Sequence, residues 1–364
     1  MITKRPTTAK NRINILAIET SCDETAASVM RGSLQSKQPS LRFLSSVINS
    51  QIEVHKKTGG VVPEVAARAH MQNILPATDQ ALRKAKLKLK DMDYIAVTSG
   101  PGLVVSLIVG TEFAKGLSLA TGIPLLPTNH MEGHLYSAFT ESRRNSGAKS
   151  FPALSIIVSG GHTMFVLMKD YSSYKVVGNT VDDAAGEAFD KVARLLSLPY
   201  PGGPEVSKLA MLGKTDLKFP RPMLGESHFD FSFSGLKTAV LYYIDKITGT
   251  GPAARKLTKQ EKADIAMSFE NAVADVIIKK AAKAVKKYGC KMVALSGGVA
   301  ANRKLRFELE QMCKDRKIDF QVPPIDLCTD NAQMIAAAAY FNLRGGKKSV
   351  PTGKVKADPA WEIY

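Results

Sequence analysis

His130 and His134 stand four residues apart in the run Asn129-His130-Met131-Glu132-Gly133-His134. On a helix that spacing sets two imidazoles about 40° apart on one face, close enough to grip one ion together. The competing reading is two ordinary polar helix residues. Glu132 comes two residues after His130, so on a helix it points about 200° away from it. That argues against the H-E-x-x-H arrangement of metalloproteases, in which the glutamate directly follows the first histidine. A third ligand has to come from elsewhere in the chain. Asp330, in Cys328-Thr329-Asp330-Asn331, follows Val322-Pro323-Pro324 and precedes an alanine-rich stretch from Ala332 to Tyr340. It is a candidate for that ligand, or else an N-cap. Two imidazoles and one carboxylate suit zinc or iron with positions left for water or substrate.

A second chemistry is suggested by glycine turns. Ser159-Gly160-Gly161 and Ser296-Gly297-Gly298 each follow an apolar run, and Ser99-Gly100-Pro101-Gly102 follows a third. Glycine lets the backbone approach a ligand, and successive N–H groups in such a turn form an anion-binding concavity. One such turn alone would be only a tight turn; the set points to phosphate. No G-K-[ST] follows any of them and no G-x-G-x-x-G opens a βαβ unit, so neither a Walker A loop nor a dinucleotide fingerprint is present.

Acids form the third group. Asp23 and Glu24 follow an apolar run, where they are placed either to bind a metal-phosphate and orient water or to serve as turn and cap residues. Asp182, Asp183, Glu187 and Asp190 cluster in VDDAAGEAFDK, and the last three share a helical face. That is a solvated acidic face or a contact for ribose or metal.

The elements that must position these groups alternate in type. Ile13–Ile18, Tyr94–Thr98, Ile123–Leu126, Leu154–Val158, Met164–Met168 and Lys291–Leu295 are short apolar runs expected as strands. Helices are expected over about 104–120 and 263–288, and from Ala332. This is an α/β organisation with its reactive turns at strand ends. The polar patch Glu141–Ser150 reads as a loop or lobe boundary. With 364 residues, two lobes are expected.

Lysine and arginine total 50 against 33 acids, a net charge of +17, which favours a polyanionic partner, nucleic acid first. Lys279, Lys280, Lys283, Lys286 and Lys287 lie on one side of the second long helix, and Lys84, Lys86, Lys88 and Lys90 form another basic stretch. Without interleaved aromatics, these would hold a phosphate backbone rather than read bases. The four cysteines, Cys22, Cys290, Cys313 and Cys328, form no C-x-x-C pair, so neither a disulfide frame nor a zinc-finger module is expected. No apolar run approaches the ~20 residues of a membrane span, and no membrane insertion is expected. The first residues, with Lys4, Arg5, Lys10 and Arg12, threonines and no acid, resemble the tail of a mitochondrial transit peptide or a plain leader.

Ten segments in order, IETSCDET from Ile18, GGVVPEVAARAH from Gly59, SGPGLVVSL from Ser99, NHMEGH from Asn129, VSGGHT from Val158, DDAAGEAFDKVARLL from Asp182, YPGGP from Tyr200, FSFSGLKTAV from Phe231, SGGVAANRKLR from Ser296 and CTDNAQMIA from Cys328, resemble the TsaD-type tRNA adenosine threonylcarbamoyltransferase family, formerly described as O-sialoglycoprotein endopeptidases. The resemblance implies a two-lobed actin-, Hsp70- and sugar-kinase-like fold (the ASKHA fold) with nucleotide and metal in the interlobe cleft. It implies transfer of threonylcarbamoyl from threonylcarbamoyl-AMP, made by a separate synthase, to the adenine beside the anticodon of tRNAs reading codons that start with A.

It further implies one divalent metal ion per subunit, zinc or iron, on His130, His134 and Asp330. ATP or threonylcarbamoyl-AMP would be held by Ile157, Val158, Ser159, Gly160, Gly161, Asp190, Gly203 and Asn302. Asp23 and Glu24 are candidates for the catalytic acid and base work. Ile157 and His162 follow the bacterial and organellar pattern; archaeal and eukaryotic cytosolic relatives have tyrosine and asparagine there. With the basic leader, this favours a mitochondrial homodimer over a bacterial-type cytoplasmic protein. The expected layout is a leader over 1–12, an N-terminal lobe over 13–127, a C-terminal lobe over 128–330, and a helix and tail over 331–364 returning to the first lobe.

Overall fold

The computed structural model describes residues 12–140, 150–251 and 254–363. The leader before Arg12 and the polar patch before Ser150 lie outside them. The chain divides into two compact units, Met1–Gly147 with Thr329–Tyr364, and Ala148–Cys328.

In the first unit, β1 (Ile13–Glu19) is buried on both faces, as a central strand must be, and its run of apolar residues supplies that. β2 (Glu24–Ser33) and β3 (Ser40–Ser50) follow it in an antiparallel meander. Then come α1 (Ile52–His55), α2 (Pro63–Lys84), β4 (Tyr94–Gly100), α3 (Val104–Thr121), β5 (Leu125–Asn129) and α4 (His130–Ser137). The sheet order is β3-β2-β1-β4-β5, with β4 and β5 parallel to β1. Leu16, Ile18, Val29, Ile95, Val97 and Leu125 pack with Ile74 of α2 and Ala114 of α3. By length and composition α3 passes for a membrane span; here it packs on β4 and α2 and buries Leu107, Gly110 and Ala114.

In the second unit, β6 (Ala153–Val158), β7 (Thr163–Met168) and β8 (Tyr174–Asn179) form a second meander. They are followed by α5 (Ala185–Leu195), α6 (Gly202–Ala210), α7 (Ser234–Thr248), α8 (Lys259–Tyr288), β9 (Met292–Ser296), α9 (Arg303–Arg316) and β10 (Asp319–Gln321). The sheet order is β10-β9-β6-β7-β8, with β9 parallel to β6 and to β10. α8 starts in a capping box between Thr258 and Glu261 and ends at Gly289 in the left-handed region. Its apolar side carries Phe269, edge-on to Phe189 with ring centroids 5.0 Å apart. The chain then returns to the first unit as α10 (Ala332–Arg344), which packs on α4 and on β1, β2 and β5.

One expectation is corrected here. The division falls at 147/148, not 127/128, and again at 328/329. The reason is continuity: β5 pairs with β4 and runs without a break into α4, so both histidines stay with the first sheet. Of the α8 lysines, Lys279, Lys283, Lys286 and Lys287 are exposed and Lys280 is buried. Lys280 is buried with Nζ donating to the His228 carbonyl, Lys283 donates to the Leu224 carbonyl, and Lys287 lies 5.3 Å over the Phe229 ring. With Arg221 paired to Asp275 at 2.9 Å, they fasten the 219–230 segment onto the helix. Burial lowers the affinity of Lys280 for its proton.

Candidate metal centre and glycine turns

α4 starts where β5 ends, and Asn129 is the hinge between them. Its Oδ1 accepts from the N–H groups of Met131, at 2.8 Å, and Glu132, at 3.3 Å, capping the helix. The whole of α4 is buried. The i, i+4 spacing sets the rings of His130 and His134 edge to face, with centroids 4.8 Å apart. Asp330 precedes α10, but the cap there is Asn331, whose side chain accepts from Met334 N–H. The cap of α10 is therefore not Asp330. Asp330 Oδ1 lies 3.5 Å from His130 Nε2 and 3.2 Å from His134 Nε2. One ligand atom from each of the three residues falls within 4.8 Å of the others.

These donors fit an ion. His134 Nε2 is buried and, although a carboxylate is near, it makes no hydrogen bond. Leaving such an atom without a partner is costly unless something else satisfies it. Two imidazoles with one carboxylate is a catalytic rather than a structural ligand set, because it leaves coordination positions open.

Behind His130 lies a buried carboxylate that the sequence reading did not single out. Glu19, at the end of β1, places Oε2 3.2 Å from His130 Nδ1, and Ser21 Oγ lies 3.1 Å from the same atom. Glu19 is itself held by Thr98 Oγ1 at 2.6 Å and by the Ser21 N–H. An outer carboxylate fixes the ring's orientation and leaves Nε2 for the ion. Burial works against protonating His130, but the charges of Asp330 and Glu19 prevail and raise its pKa to about 9. Nothing local marks Glu19 in the sequence; only β1 pairing parallel to β4, which leads through β5 to α4, brings it near.

Asp23 and Glu24 are buried beside this centre. Burial, then the charges of Asp23 and Asp330, push the Glu24 carboxyl up to about 10, with a hydrogen bond to Asp23 adding to the effect. Burial and the neighbouring acids therefore favour the protonated form of the Glu24 carboxyl in the metal-free chain. The Cys22 thiol is likewise pushed up, by burial first and then by Asp23, Asp330 and Glu24, so it is no thiolate nucleophile. The turn is held from α2: His70 Nε2 lies 3.0 Å from the Cys22 carbonyl and its Nδ1 2.8 Å from Thr25 Oγ1.

The second unit holds the other expected residues. Ile157 and Val158 end β6, fully buried. The turn beyond is closed by Ser159 N–H to the His162 carbonyl at 2.8 Å and by His162 N–H to Ser159 Oγ at 3.1 Å. Gly160 and Gly161 are exposed, their N–H groups donate to nothing among the described residues, and a Cβ at either would meet only open space. Gly297 differs: at φ +89° a Cβ would stand 2.4 Å from the Val158 carbonyl. A Cβ at Gly160, Gly161 or Gly298 would meet nothing, while Gly297 lets its turn come up against the end of β6.

Asp190 Oδ1 accepts from Gly202 N–H at 2.7 Å, fixing the start of α6 where Gly203 sits. Asn302 caps α9 through Oδ1 and donates to Glu270 at 2.6 Å and to Ser207 at 2.9 Å, so its side chain sets the start of that helix. The rest of the acidic cluster is committed elsewhere. Asp182 accepts from Phe233 and Ser234 N–H at the head of α7, and Asp183 and Glu187 pair with Lys191 at 2.7 and 2.9 Å.

Residues 42–337 match a family model described as TsaD, tRNA N6-adenosine threonylcarbamoyltransferase. A protein of that name from Staphylococcus haemolyticus is 46% identical over 332 residues, covering 91% of this chain and 92% of its own. One from Bacillus subtilis is 47% identical over 333 residues, with 91% of each covered. Among solved structures, HypF from T. kodakarensis superposes with a TM-score of 0.60 at 17% identity, over 93% of this chain and 50% of its own. A full-length HypF in phosphate- and nucleotide-bound form gives 0.57 at 15%, over 91% and 46%. At such identities these last two show a shared fold.

Proposed function

The chain belongs to the tRNA N6-adenosine threonylcarbamoyltransferase family, and on that premise we propose that it transfers threonylcarbamoyl from threonylcarbamoyl-AMP to N6 of the adenine beside the anticodon, in tRNAs reading codons that start with A. The observation that carries this is a match of 46–47% identity running through nine-tenths of both chains. Metal dependence rests on the second observation, the convergence of His130, His134 and Asp330.

In the reaction N6 attacks the carbamoyl carbon, a C–N bond forms, the bond to the phosphate oxygen breaks and AMP leaves. The bound ion would polarise the carbonyl and stabilise charge developing on its oxygen. In the second unit, the N–H groups of Gly160 and Gly161, with Ser159 beside them, suit the phosphate of a nucleotide. The proton lost from N6 goes to a carboxylate. Asp23 and Glu24, both buried, are the candidates for that carboxylate. Zinc and iron both suit the ligand set.

A homodimer is supported by the side chains that α2 and α3 leave exposed, Met71, Leu75, Val104 and Ile108. A mitochondrial placement is supported by the basic, acid-free first residues. Light scattering of the purified protein and fluorescence imaging of a tagged copy test these two. The transferase reading is tested with labelled threonine, bicarbonate, ATP, a threonylcarbamoyl-AMP synthase, tRNA and this protein alone. Label should appear on tRNA and vanish with His134→Ala. Failure of the folded protein to label tRNA, with or without bacterial accessory proteins, overturns it.

A further inference from the structure

Glu132 stands between the two metal-side histidines, yet it takes no part in the chemistry above. Its position in the structure gives it other work. Oε2 accepts from Asn342 Nδ2 at 2.6 Å, on α10, and Oε1 lies 2.6 Å from Lys347 Nζ, just beyond α10. The carboxylate is buried although Lys347 is largely exposed. Around it α4 and α10 touch closely. A Cβ at Gly133 would stand 3.0 Å from Ile335 and Met334, and the Tyr136 ring stacks on Phe341 with centroids 4.6 Å apart.

A second tie lies at the head of α4. Asn129 caps the helix with its oxygen, and its amide Nδ2 donates to the Trp361 carbonyl at 2.8 Å. The tail is brought there by Asp358, whose N–H donates to the Ser99 carbonyl at 2.7 Å. Its carbonyl fills the place where Gly100 has no side chain, since a Cβ there would be 1.8 Å away.

We propose that the C-terminal segment, which supplies Asp330, also positions the other two ligands, through Glu132–Asn342/Lys347 and Asn129–Trp361. An eight-residue helix is too short to hold its own orientation. Two clamps, one at its cap and one on the side away from the ligands, fix its rotation and its advance along the axis. Glu132 is thus a positioning residue. The proposal rests on the metal-centre reading.

The test is a titration of the metal-free full chain with Co²⁺, read by its visible d–d bands, which report coordination geometry. The intact protein should bind one ion and His134→Ala none. Asn129→Asp keeps the capping oxygen but sets an acceptor against the Trp361 carbonyl. Glu132→Gln and Lys347→Met weaken the other clamp, and the exposed lysine change is the least threatening to folding. Each should bind about tenfold more weakly, the low end for outer partners of metal ligands, with altered bands and a melting temperature close to that of the intact protein. Wild-type affinity and bands in all three variants overturn the proposal while leaving the metal centre standing. No Co²⁺, Zn²⁺ or Fe²⁺ bound by the intact protein overturns both.

Discussion

The two units carry one sheet plan. In each, a central strand has an antiparallel meander on one side and two parallel strands on the other, ordered β3-β2-β1-β4-β5 and β8-β7-β6-β9-β10. The turns that leave equivalent strands differ in kind. After β1 comes Thr20-Ser21-Cys22-Asp23 with Glu19 before it and Glu24 after. After β6 comes Ser159-Gly160-Gly161-His162. The first turn is buried and rich in carboxylates, and it stands by a ligand set for a cation. The second is open, carries no carboxylate, and offers the N–H groups of Gly160 and Gly161, suited to an anion. The frame specifies where a ligand is met; the side chains on the turn specify the sign of its charge.

If that division holds, each half can be damaged alone. The largest effect is expected from His134→Ala. It should abolish metal binding, beyond the about 10–100-fold cost of outer-partner changes, and leave the affinity for adenine nucleotide unchanged in calorimetry. Gly297→Ala is the converse. It forces a Cβ against the Val158 carbonyl at a positive φ, a strain of about 1–3 kcal/mol. Nucleotide binding should weaken markedly while Co²⁺ binding persists; an equal loss of both would break the comparison.

Glu19→Gln should lower metal affinity about 10–100-fold and also change its pH dependence. In the metal-free protein the Asp330 and Glu19 charges raise the His130 pKa from 6.5 to about 9 against burial. An ion must displace that proton, so affinity should rise with pH up to about 9 and flatten above it. With Gln at position 19 the rise should end at lower pH. Stability of the metal-free chain has the opposite sense. Charged His130 contributes fully below pH 6.5, and the contribution is lost as pH climbs through about 9. The smallest effect is expected for Glu24→Gln: because burial and neighbouring acids favour the neutral Glu24 carboxyl, the amide should retain most activity at pH 7. Asp23→Asn should lower kcat with little change in metal affinity.

The sequence revealed the ligands more readily than their supports. His130 and His134 were legible because helical periodicity is local, and Asp330 because a family motif surrounds it. The glycine turns were legible as strand ends. Glu19 was not, since its contact with His130 depends on strand order across the sheet. The division at 147/148 falls in the polar patch Glu141–Ser150, which composition marks as a loop or lobe boundary, whereas a cut at 127/128 would sever β5 from α4. β2, β3 and α2 also went unread: β2 is built of small and polar residues, ETAASVMRGS, whose burial comes from α2 and α10 packing over it.

The lysines of α8 bear on how this protein meets a polyelectrolyte. Lys280 is buried with its Nζ on the His228 carbonyl, so it is poorly placed to displace condensed counterions from RNA. The exposed Lys84, Lys86, Lys88 and Lys90 have no ion-pair partner among the described residues. A plot of log affinity for tRNA against log salt should therefore have a shallower slope than the +17 net charge suggests. Neutralising the 84–90 lysines should reduce that slope, and neutralising Lys280 should not.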